Sequence, residues 1–211
     1  MLQLFKSKGT TMSNIGKEFE CRMMLTESEY LNIVSYYIKL HPNKQFLKIV
    51  NRYYDTDDLY IKNHHMTLRV RTTNNMNGEL TLKIKHPNGD DEINNTLSSK
   101  DAENLLHDGI FPEGEVKNRL LSLPYSLNSY KQIAVLYNLR LEIPFEDHLL
   151  VLDKNNYSDI TDYNLEIEAK DSIETAKKRL YEYIAQFNLA KPQQKYVGKS
   201  HRAIDAAIKN S

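Results

Sequence analysis

From Lys17 to Leu25 apolar and polar positions alternate, with Phe19, Cys21 and Met23 on one side and Glu18, Glu20 and Arg22 on the other. A period of two marks a strand buried on one face. Thr26 is followed three residues later by Glu29, a capping box, and Tyr30, Ile33, Val34, Tyr37 and Ile38 recur behind it at helical spacing. The pattern predicts a helix over 26–40 lying on a sheet. Three β-rich runs at 46–55, 65–73 and 79–86 predict an antiparallel meander, with a short further strand at 91–97. Residues 99–107 read as a helix closed by Gly109, and residues 112–130 as irregular and partly helical. A second β run covers 131–143, 148–155 and 160–170, interrupted at Pro144. A helix over 172–188 stops before Pro192, and a tail helix covers 200–209. Residues 1–16 lack periodicity and read as a loose tail, which leaves 17–211 as one domain whose two β runs are halves of a single sheet.

The polar faces of these strands carry the chemistry. An exposed antiparallel sheet ordinarily mixes signs on its wet face or uses Thr and Ser. Here like charges come in blocks: Glu18 with Glu20, Arg69 with Arg71, Lys83 with Lys85, and Glu166 with Glu168. A three-residue loop of Met76, Asn77 and Gly78, with Gly78 at positive φ, sets Arg71 opposite Lys83 and Arg69 opposite Lys85. Four cations on one face with no acidic residue among them call for a multiply charged anion, and a triphosphate matches. The paired carboxylates are hard oxygen ligands suited to Mg²⁺ or Mn²⁺. For both sets to meet, the polar faces must point inward. The expected fold is therefore α+β: an antiparallel sheet curled into a barrel with its polar faces inward and helices packed outside.

Composition narrows the class. Lys and Arg number 28 against 28 Asp and Glu, which argues against binding to DNA or a membrane through bulk positive charge. No run approaches the roughly 20 apolar residues of a membrane span, nor the apolar centre of a signal peptide, so a cytoplasmic protein is expected. The lone Cys21 can form no internal disulfide and sits on the apolar side of its strand, a small core residue. His64, His65, His86 and His148 lack zinc-site spacing and read as loop histidines. No glycine-rich phosphate loop is present.

The order of these motifs resembles the CYTH proteins, or triphosphate tunnel metalloenzymes. Glu18-Phe-Glu-Cys-Arg22 is similar to the family's Glu-x-Glu-x-Lys opening, with Arg22 where the family usually has lysine. The resemblance continues through Tyr53–Thr56, Leu68–Arg71, Leu80–Lys83, Arg140 with Glu142, Asp153, Glu166-Ile-Glu168 and Lys199–Arg202. It implies an eight-stranded antiparallel β tunnel or barrel with a polar interior and helices packed outside, which binds a triphosphate together with a divalent metal.

On this reading Arg22, Arg69, Arg71, Lys83, Lys85, Arg140 and Lys199 grip phosphate oxygens. Glu18, Glu20, Asp153, Glu166 and Glu168 hold Mg²⁺ or Mn²⁺, and Glu18, Glu20, Arg22 and Lys199 are the catalytic set. The expected activity is cleavage of the terminal phosphoanhydride of inorganic triphosphate or a related compound. Absence of tryptophan tilts the substrate toward a bare polyphosphate. A polyphosphate- or nucleotide-binding module without turnover, an adenylate cyclase and a thiamine triphosphatase stay open, as does the oligomeric state.

Overall fold

The structure is a computed structural model and describes residues 19–74, 77–86, 89–190, 192 and 196–209. Eight strands form one antiparallel sheet: β1 (Phe19–Leu25), β2 (Leu47–Asp55), β3 (Met66–Thr73), β4 (Asn77–His86), β5 (Gly89–Leu97), β6 (Lys131–Pro144), β7 (His148–Tyr157) and β8 (Ile160–Ala169). Their spatial order is β1-β8-β7-β6-β2-β3-β4-β5, so two meanders, β2 to β5 and β6 to β8, are joined where β2 pairs with β6. The sheet is not closed by hydrogen bonds; it curls into a tunnel-like fold with β1 and β5 as its edges.

Helices α1 (Glu27–Leu40), α2 (Tyr60–Asn63), α3 (Ser99–Asp108), α4 (Glu115–Leu121), α5 (Ile173–Phe187) and α6 (Lys199–Lys209) complete the fold, with a 3₁₀ turn at Leu127–Ser129. Thr26 accepts from the Glu29 amide while the Glu29 carboxylate accepts from the Thr26 amide at 2.7 Å, so the capping box forms. Ser98 and Asp101 repeat it on α3, which ends on Gly109 in the left-handed region.

Helices cover the apolar side of the sheet in two patches. Under α1 and α5 lie Met23, Leu25, Leu141, Ile143, Leu150, Leu152, Leu165 and Ile167. Under α2, α3 and α4 lie Tyr54, Leu68, Val70, Leu80, Leu82 and Leu97. Each buried aliphatic side chain contributes about 1.5–3 kcal/mol, and an unpaired buried charge would forfeit more than that. The strands therefore turn their aliphatic side to the helices and their charges inward.

Four readings of the sequence need correction. The hairpin pairs Arg71 with Glu79 and Arg69 with Thr81, with Thr73 opposite Asn77, so the expected Arg71–Lys83 and Arg69–Lys85 pairs do not form. The error is an even number of residues, which preserves each side chain's face. Gly78 lies inside β4 rather than at the turn: a Cβ there would meet the Leu97 Cβ at 2.9 Å, so close packing of β4 against β5 requires the glycine. Asn74 takes the positive φ, at 49°. His148 is a buried strand residue, not a loop one, bonded to Asp147 and to the Tyr183 hydroxyl at 2.8 Å each. The expected tail, Glu18 and Met76 lie outside the described residues. No described helix is long and apolar enough to cross a membrane.

Candidate active site

Register alone places the charged side chains on one face. On β1 and β8, Glu20 faces Glu168 and Arg22 faces Glu166. Across β8, β7 and β6, Glu166 lies opposite Val151 and Asn164 opposite Asp153, which in turn pairs with Arg140. Across β2, β3 and β4, Asn51 pairs with Arg71 and Arg71 with Glu79, and Lys83 then faces Glu92 on β5. Helix α6 packs against one end of this same face through Ala203, Ile204 and Ala206, which meet Tyr53, Leu136 and Tyr157. Its first residue, Lys199, thereby reaches into the interior.

The half of the site built on β1, β8, β7 and β6 is one connected ionic cluster. Arg140 donates from Nε and Nη2 to both Asp153 oxygens at 2.8 and 2.9 Å, and from Nη2 to Glu166 at 3.2 Å. Lys199 donates to Asp153 at 2.6 Å and lies 3.0 Å from Glu166. Arg22 is bonded to Glu20 and lies 3.4 Å from Glu166. Glu168 joins at the edge, 4.0 Å from Arg140. Asp153 and Glu166 are buried, and such carboxylates persist only when well paired. Burial alone would raise the Asp153 pKa, but Lys199 and Arg140 outweigh it and hold the carboxyl well below the usual range. Burial would lower Arg140 and Arg22; their acidic neighbours, Asp153 for the first and Glu166 and Glu20 for the second, hold both guanidiniums firmly charged.

The other half is less well compensated. Arg69 donates to Glu79 and Thr81 at 3.1 Å each, and Lys83 lies 3.6 Å from Glu92. Arg71 donates from Nε to Asn51 at 3.2 Å, and no carboxylate lies within ion-pair distance of it among the described residues. Burial, then the like charges of Arg69 and Arg140, push it down to about 10 despite an opposing pull from Glu79. A half-buried cation that feels two other cations and has no ion pair among the described residues is an anion site in electrostatic terms. Lys85 stands apart, exposed near the end of β4, where its charge acts on His201 of α6.

Glu20, Glu166 and Glu168 each place a carboxylate oxygen within 4.8 Å of the others. Three hard oxygen donors in that space fit a divalent cation of the Mg²⁺ type, which prefers a few carboxylates with phosphate and water completing its shell.

Structure thus brings together Glu20, Arg22, Arg140, Asp153, Glu166, Glu168 and Lys199, and puts Arg69, Arg71 and Lys83 on the same face beside them. Sequence reasoning missed Glu79 and Glu92 among the cations, and the buried amides Asn51, Asn138, Asn155 and Asn164. Their signal was the same alternation: Asn138 is two residues before Arg140, Asn155 two after Asp153 and Asn164 two before Glu166. Arg202, which donates to both Asp162 oxygens at 2.7 and 2.9 Å, was given no role.

The family description that matches this chain is the CYTH domain, over residues 16–191. The chain belongs to the CYTH family. A relative from Bacillus subtilis (strain 168), named "Putative triphosphatase YjbK", is 32% identical over 154 residues, covering 73% of this chain and 78% of that protein. A crystal structure from Bacillus halodurans, described as "a putative adenylate cyclase", is 32% identical with a TM-score of 0.75 over 88% of this chain and 96% of its own. A Hippeastrum protein, HpAC1, shares the fold at a TM-score of 0.75 and 17% identity, over 90% of this chain and 95% of its own. For this CYTH chain the comparisons support a triphosphatase-type activity as the broad class.

Proposed function

We propose that residues 17–211 form a single tunnel domain that hydrolyses the terminal phosphoanhydride of inorganic triphosphate, or of a compound bearing a triphosphate, with Mg²⁺ or Mn²⁺. The observation that carries this reading is that the sheet face holding the clustered Glu20, Glu166 and Glu168 oxygens also carries Arg71, a half-buried cation with no ion pair among the described residues. The name of the Bacillus subtilis relative and the triphosphatase activity described for HpAC1 point the same way.

Arg69, Arg71 and Lys83 would receive one end of the phosphate chain from β3 and β4, and Arg22, Arg140 and Lys199 the other from β1, β6 and α6. Each charge-assisted contact contributes about 1.5–3 kcal/mol, and Lys85 would meet the chain at the rim. Glu20, Glu166 and Glu168, with Asp153 and Glu18, would hold the metal, which when bound neutralises charge on the phosphate oxygens. A carboxylate of that set orients the water that attacks the terminal phosphorus and takes its proton, and diphosphate leaves as the P–O bond breaks. Phosphoryl transfer needs positioning and charge neutralisation above all, and both are built into one face of the sheet.

The test is phosphate release from triphosphate, ATP and thiamine triphosphate, each with and without Mg²⁺ or Mn²⁺. Metal-dependent release from triphosphate is expected. Binding without release under every metal would make this a binding module, and cyclic nucleotide with diphosphate from ATP would make it a cyclase.

A further inference from the structure

Three buried amides in the tunnel form a directed chain that ends on carboxylates. Asn138 Nδ2 donates to Asn155 Oδ1 at 2.9 Å, and Asn155 Nδ2 donates to Asn164 Oδ1 at 2.8 Å. Asn164 Nδ2 then donates to Glu166 at 3.2 Å and to Asp153 at 3.4 Å. The second hydrogen of Asn155 Nδ2 goes to Asp162 at 3.0 Å, the carboxylate that Arg202 of α6 clamps with two bonds. Asn155, Asn164 and Asp153 are 0% exposed, so water does not compete for these groups.

The direction of the chain follows from its ends. Ionised carboxylates only accept, so Asn155 must present its NH₂ to Asp162 and Asn164 must present its own to Glu166 and Asp153. A flipped Asn164 would set its oxygen against two carboxylates and its NH₂ against that of Asn155, losing three favourable contacts at once. In a site without water each such loss is large, and the bonds reinforce one another.

We propose that Asn155 is a positioning residue for the metal-binding carboxylates. Anchored to α6 through Asp162, it fixes the amide of Asn164, which in turn holds Glu166 and Asp153 in place. The inference rests on the reading of Glu166 as a metal ligand, yet Asn155 itself touches none of the carboxylates assigned to metal. Groups one step behind metal ligands commonly alter affinity or activity by 10- to 100-fold.

The experiment measures Mn²⁺ affinity by calorimetry, together with kcat and KM for triphosphate, in the full chain and in Asn155→Leu. Leu keeps the branched outline of Asn in bulkier form and cannot donate, and the smaller Ser below separates the lost donor from any crowding. Mn²⁺ affinity and kcat are each expected to fall by about 10-fold or more, while KM for triphosphate changes by less than about 3-fold because the cations of β3 and β4 are untouched. Should the Leu variant not fold, Asn155→Ser keeps one donor and removes the branch, with the same fall expected. A folded variant with Mn²⁺ affinity and kcat within about 2-fold of the parent, whatever its Tm, would overturn the proposal as a merely structural role. In the parent chain, the side-chain amide protons of Asn155 and Asn164 should exchange slowly with solvent, and rapid exchange would overturn it independently of any variant. If the parent binds no Mn²⁺ at all, the metal reading itself fails and the proposal with it. Binding by the parent with no change in the variant refutes the relay alone.

Discussion

Arg71→Met should make the ligand-free protein more stable and its anion site worse. Arg71 is pushed from 12.5 to about 10, first by burial and then by Arg69 and Arg140, which corresponds to about 3 kcal/mol against its charged form. Methionine keeps most of the aliphatic stem, so little cavity forms. The substitution also removes the Nε bond to Asn51 at 3.2 Å, a loss of about 1–2 kcal/mol once the unpaired amide oxygen is included. The net gain is about 1–2 kcal/mol, or a rise in Tm of about 2–8 °C for a chain of this size. Against metal-free triphosphate the variant loses a charge-assisted contact worth about 1.5–3 kcal/mol, hence about 10- to 150-fold in affinity. Scanning calorimetry gives the first quantity and titration calorimetry the second. A lower Tm with unchanged affinity would refute the reasoning, because Arg71 would then be a structural cation satisfied within the fold.

If Glu168 ligates the metal and the cations hold the anion, as proposed, Glu168→Gln should reduce kcat for triphosphate by about 100-fold or more while metal-free binding stays measurable; phosphate release and calorimetry on the same variant check this. The depressed pKa of Asp153 makes its ion pairs a source of stability above the unfolded carboxyl value of about 4, lost as pH falls through the folded value. Melting curves should therefore show Tm dropping below about pH 4, and Asp153→Asn should flatten that drop and lower Tm at pH 7. Gly78→Ala drives a methyl into Leu97 at 2.9 Å and should destabilise by about 1–3 kcal/mol, read by denaturant unfolding, with triphosphate affinity unchanged in the folded fraction.

Much of this protein is written in residue-to-residue alternation. Glu20 and Arg22 on one strand, Arg69 and Arg71 on another, and Glu166 and Glu168 on a third each share a face because a strand's period is two, wherever the strand lies. The capping boxes at Thr26 and Ser98 are local as well, since both partners sit within one helical turn. Charged residues recurring at every second position were therefore enough to expect a curled antiparallel sheet with its polar side turned inward.

Which strand lies beside which is a different kind of information. Nothing local tells β1 to pair with β8, or β2 with β6, across gaps of 75 residues or more; only the burial of two apolar patches by the helices on either side selects that order. The hairpin register was misread because turn chemistry pointed to Gly78, whereas packing against Leu97 claimed that glycine and moved the positive φ to Asn74. Partners were likewise decided in space: Glu79 beside Arg69, Lys199 on Asp153, and the amide chain from Asn138 to Glu166. A single strand's pattern says which side a group points to, and the folded sheet alone decides which opposite charge, or which amide, it meets there.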